Sequence, residues 1–123
     1  MGENIETQDN QLTVTPSVLH ILVALADGPM HGYAIMREVE RISEGKVRMG
    51  PGTLYGGVKK LLVSGWIEEV EARRGSGKDD ERRRYYRLTG LGTRVLNSEV
   101  NRMRTLLRLA RGKKFITASM ATA

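Results

Sequence analysis

The sequence contains no cysteine. That absence excludes a disulfide framework, a thiolate metal site and a thiol nucleophile, and it fits a reducing cytoplasm. Histidine is nearly as scarce, with only His20 and His31. Neither stands at a defensible spacing from a serine and a carboxylate, so an enzyme is the weakest reading. Two histidines without cysteine make no convincing metal centre, and no cofactor is expected. The longest apolar run, Val18 to Ala26, is interrupted by His20 and is too short to cross a bilayer. The N-terminal MGENIETQDNQ is polar and acidic, unlike a secretion signal. The expectation is a cytoplasmic protein with no membrane partner. Acidic residues are also short: 14 Asp and Glu stand against 20 Lys and Arg, a formal charge of +6. A surplus of that size points to an anionic partner.

At 123 residues the chain suits one domain, or one domain with a dimerising arm. Its three prolines all punctuate. Thr15-Pro16 opens a first helix, with Thr as N-cap and Pro at the first helical position, and Asp27-Gly28-Pro29 stops it. A second helix follows from about His31, with Ile35, Met36, Val39 and Ile42 on its apolar stripe, and ends at Glu44-Gly45. His31 itself reads as a cap. Pro51 enters a third helix, which Ser64-Gly65 closes. Beyond Gly65 the hydrophobic period falls to two. Trp66, Ile67 and Val70 precede a long polar loop, Arg73 to Glu81, and then Arg84, Tyr86 and Leu88 alternate with Arg83, Tyr85 and Arg87, the pattern of a β-hairpin. Thr89 caps a last helix, in which Leu96, Val100, Met103, Leu107 and Ala110 recur at steps of four and three, the seam of a helix that packs lengthwise on another. The fold expected is mainly α with a small β-hairpin: a winged helix-turn-helix plus a C-terminal dimerisation helix. Its divisions are a flexible segment over 1–14, the winged domain over 15–88, the dimerisation helix over 89–112 and a flexible tail over 113–123.

Three phrases carry a family resemblance: LADGPMHGYAIMREV, PGTLYGGVKKLLVSGWI and RRRYYRLTGLG. In order and spacing, over about residues 16 to 112, they resemble the PadR-like transcriptional regulators, whose pattern runs GP-HGY, then GTLY with a leucine-rich helix, then R-YY-LT--G. The family commonly has proline after the tyrosine of GTLY; here Gly56 stands there. The resemblance implies a dimeric winged-helix repressor of the subgroup with one short C-terminal helix. It also implies that Tyr33, of HGY, contacts a phosphate rather than serving as a core ring.

In a helix that reads DNA the outward face enters the major groove. On a wheel of about 100° per residue, Leu54, Val58, Leu61 and Leu62 share the core direction of the third helix, and Gly56 lies nearly opposite, with Lys59 and Val63 beside it. Each glycine costs about 1 kcal/mol relative to alanine inside a helix. One account of the Gly56-Gly57 pair puts Gly56 at the DNA surface and Gly57 under a close crossing of the second helix. The other is that the helix begins later, with the pair in a loose first turn. Gly52 and Thr53 can offer N–H groups and a hydroxyl to a phosphate, Tyr55 its hydroxyl, and Lys59 or Lys60 a charge to bases or backbone. A solvated lysine face with Tyr55 half-buried is the plainer reading. On the wing, Arg73, Arg74 and Lys78 stand nearest the tip and are favoured over Arg84 for phosphate or minor-groove contact. Some wing arginines are expected to pair with Glu68, Glu69 and Glu71.

The partners expected are double-stranded DNA with a pseudo-palindromic operator and a second copy of the chain, joined through Leu19, Leu22, Val23, Leu96, Val100, Met103 and Leu107. A small-molecule effector between dimer halves is left open, because the association helix has no aromatic residue before Phe115. The alternative function is a winged-helix module that binds protein without specific DNA recognition. It would call for an apolar patch on the third helix, where only Val63 is available.

Overall fold

A computed structural model of the chain describes residues 13–71 and 84–114. In chain order they form α1 (Pro16–Ala24), a 3-10 turn (Leu25–Asp27), β1 (Met30–His31), α2 (Gly32–Ile42), α3 (Pro51–Val63), β2 (Ile67–Val70), β3 (Tyr85–Leu88) and α4 (Gly90–Arg111). Residues 1–12 of the expected flexible segment 1–14, residues 115–123 of the expected tail 113–123, and the wing tip with Arg73, Arg74 and Lys78 lie outside the described residues.

Local chemistry sets the helix boundaries. Thr15 Oγ1 accepts the Val18 N–H at 3.2 Å, His31 Nδ1 accepts that of Ala34 at 3.2 Å, and Thr89 Oγ1 accepts that of Gly92 at 3.0 Å. Each satisfies a donor that has no partner within its helix, worth typically about 1 kcal/mol. At the far end of α3, Gly65 takes φ +77°. This lets the Trp66 N–H reach back to the Leu61 carbonyl at 3.0 Å and the Gly65 N–H to that of Leu62 at 3.1 Å, a Schellman closure that favours glycine. The end of α2 uses the same device with a less suitable residue: Glu44, not Gly45, is the first left-handed position, at φ 55°. Ser43 secures the turn that follows. Its buried hydroxyl accepts the Val47 N–H at 2.9 Å and lies within hydrogen-bond distance of the Glu40 and Val47 carbonyls.

The hairpin forms with Glu68 opposite Arg87 and Glu69 opposite Tyr86. It gains a third strand that the sequence reading lacks: β1 pairs with β3, placing Met30 opposite Tyr86 and His31 opposite Tyr85, so the order is β1-β3-β2 and β3 is central. A two-residue strand is too short to display a period. The acidic residues of β2 pair with Arg87 (Glu68, 2.7 Å) and Arg84 (Glu69, 3.5 Å). Arg87 lies in β3 and Arg84 just before it; the wing arginines Arg73, Arg74, Arg82 and Arg83, for which pairing was expected, lie outside the described residues.

One core joins the elements: Leu19, Ile21 and Leu22 of α1, Leu25 of the 3-10 turn, Ile35 and Val39 of α2, Leu54, Val58 and Leu61 of α3, Trp66, Ile67, Tyr86 and Leu96. Three expectations change here. Leu62, placed among the core residues of α3, is more than a third exposed. Gly57 faces α1 rather than α2, since a Cβ built there would meet Cδ1 of Ile21 at 3.3 Å. Leu19, Leu22 and Leu96, proposed for the dimer surface, are buried within the protomer, and Leu22 at 0% exposure has no surface left to offer. Of that set, Val23, Val100, Met103 and Leu107 remain exposed.

Helix α4 is fixed to the end of α3 by a short set of contacts. The Thr89 N–H donates to the Trp66 carbonyl at 3.0 Å, and the Thr89 hydroxyl donates to the Gly65 carbonyl at 2.6 Å. Gly92 lies directly against the Trp66 carbonyl, and a Cβ built there would overlap its oxygen. The approach requires glycine, because backbone meets backbone and neither can swing aside.

Candidate nucleic-acid interface

Helix α3 starts at Pro51, so Gly56 and Gly57 belong to its interior and not to a loose first turn. Its buried side is Leu54, Val58 and Leu61, and Gly52, Thr53, Tyr55, Gly56, Lys59, Lys60 and Val63 are all exposed. On a wheel of about 100° per residue, Gly52, Gly56 and Val63 mark the outermost line, with Tyr55 and Lys59 on one flank and Thr53 and Lys60 on the other. Nothing lies within 4 Å of a Cβ built at Gly52 or Gly56. The outermost line of the first two turns is therefore bare backbone.

The two flanks differ chemically. Toward α1, a groove of about 610 Å³ has Thr13, Thr15 and Ser17 on one side and Thr53, Gly56 and Lys60 on the other. Toward α2, Tyr55 reaches across to the start of that helix. A Cβ at Gly32 would lie 2.7 Å from Cζ of Tyr55 and collide with its hydroxyl. The glycine of HGY and the tyrosine of GTLY thus meet in space.

Tyr33, next along α2, is 56% exposed. It is not a core ring: it stacks on His31 with 6.5 Å between centroids and 12° between planes, and the Arg37 guanidinium lies 5.8 Å from its centre. His31, while capping α2, also meets the Tyr85 ring edge-on at 5.5 Å. Beneath this surface Tyr86 is buried, and its phenol is held above the ordinary tyrosine range, first by burial and then by the Glu69 carboxylate and the Tyr55 hydroxyl nearby. On α2 the Glu38 carboxylate is held below its usual range, chiefly by its hydrogen bonds from Arg41.

Gly52, Thr53, Tyr55, Gly56, Lys59 and Lys60 are exposed on α3, Thr53 and Lys60 on the flank toward α1 and Tyr55 on the flank toward α2, where Tyr33 is exposed in turn. The contribution of Arg37 escaped the sequence reading, although its position one turn after Tyr33 on the polar face of α2 was a usable signal. His20, the other histidine, hydrogen-bonds the Pro16 carbonyl of its own helix. Among the described residues no group of acidic or histidine side chains could hold a metal ion, and no helix is long and apolar enough to cross a membrane.

Comparison with known proteins places this geometry. Among solved structures, a transcriptional regulator from Clostridium thermocellum is 23% identical with a TM-score of 0.62, the match covering 81% of this chain and 92% of that one. A PadR family transcription regulator from hypervirulent Clostridium difficile is 21% identical, TM-score 0.64, covering 76% and 93%. Bacillus subtilis PadR, solved in complex with operator DNA, is 22% identical, TM-score 0.59, covering 70% of this chain and 47% of that one. At these identities the likeness is one of fold. An uncharacterised 37.1 kDa protein in a Streptomyces fradiae transposon is 37% identical over 86 residues, 70% of this chain, and the chain spans only 22% of that relative's length. The model of the transcriptional regulator PadR-like family matches residues 21–98, from the middle of α1 into α4, and takes in all three motif phrases. The chain belongs to the PadR-like family of transcriptional regulators.

Proposed function

We propose that the protein is a sequence-specific DNA-binding repressor that acts as a dimer in the cytoplasm. The observation that carries this reading is the outer face of α3, bare at Gly52 and Gly56 and flanked by Thr53, Tyr55, Lys59 and Lys60. Such a face lets the helix backbone sit deep in a major groove, while hydroxyls and lysines meet the phosphates on either side. An operator complex of Bacillus subtilis PadR, whose fold this chain shares, supports the same use of the fold. The basic wing tip, Arg73, Arg74 and Lys78, extends the contact to phosphate or the minor groove. A protein-binding module is the poorer reading, because the exposed large apolar side chains of α3 are Val63, the edge of Leu62 and the ring of Tyr55, which carries a polar hydroxyl.

Dimerisation through α4 completes the proposal. Past Leu96 this helix exposes Val100, Met103, Leu106, Leu107 and Leu109, an apolar surface that a second copy would cover. Twofold symmetry then makes the operator a pseudo-palindrome with half-sites about one helical turn, ~34 Å, apart. A small molecule that bound between the protomers would meet the exposed Val23, Val100 and Met103.

The test is the double variant Met103→Glu/Leu107→Glu. It is expected to stay folded, sediment as a monomer and lose operator binding. A folded variant that remains dimeric and binds normally rules out α4 as the association surface.

A further inference from the structure

We propose that Arg37 and Tyr33 act together as a clamp for one DNA backbone phosphate, on the side of α3 that faces α2; the inference rests on the reading of α3 as the groove-entering helix. Tyr33 enters by family resemblance, but the role of Arg37 comes from the structure.

The charges of α2 are unequal in availability. Arg41 is paired with Glu38 through two hydrogen bonds, 2.9 and 2.7 Å, so the charge of each already offsets the other. Glu40 is taken by Arg48 at 3.0 Å. Arg37 has no carboxylate partner among the described residues. Its guanidinium lies instead over the Tyr33 ring at 5.8 Å, and that ring is stacked in turn on His31. An arginine placed over an aromatic face is pre-oriented and loses less freedom when it binds, and its planar donors match a phosphate. Arg37, Tyr33 and His31 line a surface pocket of about 600 Å³ whose one carboxylate, Glu38, is already neutralised.

The position suits a backbone contact rather than a base contact. Tyr55 of α3 rests on Gly32, Tyr33 follows, and Arg37 stands one helical turn further along α2. The row belongs to α2, beside the helix that would occupy the groove and not on it. A contact there is indifferent to sequence, so it sets affinity and register without choosing bases.

The test uses the full chain and two duplexes, the DNA upstream of its own gene and a scrambled control, at about 50 to 200 mM salt. Arg37→Gln is expected to weaken binding to both duplexes by the same factor and to lower the log–log salt slope by about 0.9, so that its deficit shrinks about 3.5-fold across that range. Arg37→Lys is expected to keep the slope and recover part of the affinity, and Arg41→Gln to stay within about twofold of wild type. Arg37→Gln equal to wild type at every salt, while Lys59→Gln/Lys60→Gln loses affinity, overturns the clamp and leaves the α3 reading standing. If the lysine pair is also indistinguishable from wild type, the α3 reading falls and the clamp with it.

Discussion

The Tyr55 ring lies over the α-carbon of Gly32, in the space that a side chain at position 32 would occupy. Two motifs more than twenty residues apart in sequence are thereby one structural unit. Tyr55 is about half exposed, so it can swing away from an added methyl. Gly32→Ala is therefore expected to cost less than about 1.5 kcal/mol of stability, the scale of a strained rotamer, and to weaken operator binding more than stability by displacing the Tyr55 hydroxyl. Thermal unfolding beside an anisotropy titration separates the two effects. A variant that unfolds but binds normally when folded would reverse this account.

Gly92 presents the opposite case. Its neighbour is the Trp66 carbonyl, which is anchored by the Thr89 N–H and cannot rotate out of the way. Gly92→Ala is expected to destabilise by about 3 kcal/mol or more, as overpacking against a fixed backbone does at its upper end. Urea unfolding measures it, and a loss below about 1 kcal/mol means that α4 can slide on the sheet.

These two glycines show where the sequence was legible. The caps at Thr15, His31 and Thr89, the proline entries, the helix periods and the hairpin alternation are local signals, and the elements form where those signals put them. Contacts between distant segments leave no such mark. Nothing in the sequence says that Gly57 faces Ile21, that Ser43 ties the turn, or that Met30–His31 adds a strand. For the site, the exposed face of α3 follows from helical spacing alone, whereas the Gly32–Tyr55 contact and the free state of Arg37 depend on how α2 lies against α3. Leu19, Leu22 and Leu96 were misassigned because periodicity marks an apolar face without saying whether this chain or another covers it.

Gly56 and Gly57 predict different responses to the same substitution. Gly56→Ala adds a methyl in open space and is expected to stabilise by up to about 1 kcal/mol. Gly57→Ala pushes Cδ1 of Ile21 from 3.3 Å and is expected to gain less than half of that. Gly56→Leu is expected to fold and to bind operator at least about tenfold more weakly, a loss of about 1.4 kcal/mol. Denaturation curves and gel shifts on the three variants check the set, and normal operator binding by the leucine variant refutes the bare-backbone reading of α3.

Tyr86 makes stability pH-dependent in the alkaline range. Its folded phenol titrates above the unfolded value of about 10 because burial and the Glu69 carboxylate disfavour the phenolate. A raised acid contributes stability that is fully present below the unfolded pKa and is lost as pH rises through the folded one. Ultraviolet titration of the four tyrosines is expected to show one ionising last, and Tyr86→Phe to remove that component and flatten the alkaline loss of stability. An unchanged titration curve in Tyr86→Phe would assign the late phenol to another residue.

If α3 reads DNA, the purified chain binds the DNA upstream of its own gene in preference to a scrambled duplex, the two titrated side by side across a salt series. The account predicts tight binding to the first, saturating at one dimer per site, weak binding to the second, and a log–log salt slope of about −5 to −9 from several phosphate contacts in each half-site. Equal, weak binding to both duplexes would contradict it and leave the exposed face of α3 to a protein partner.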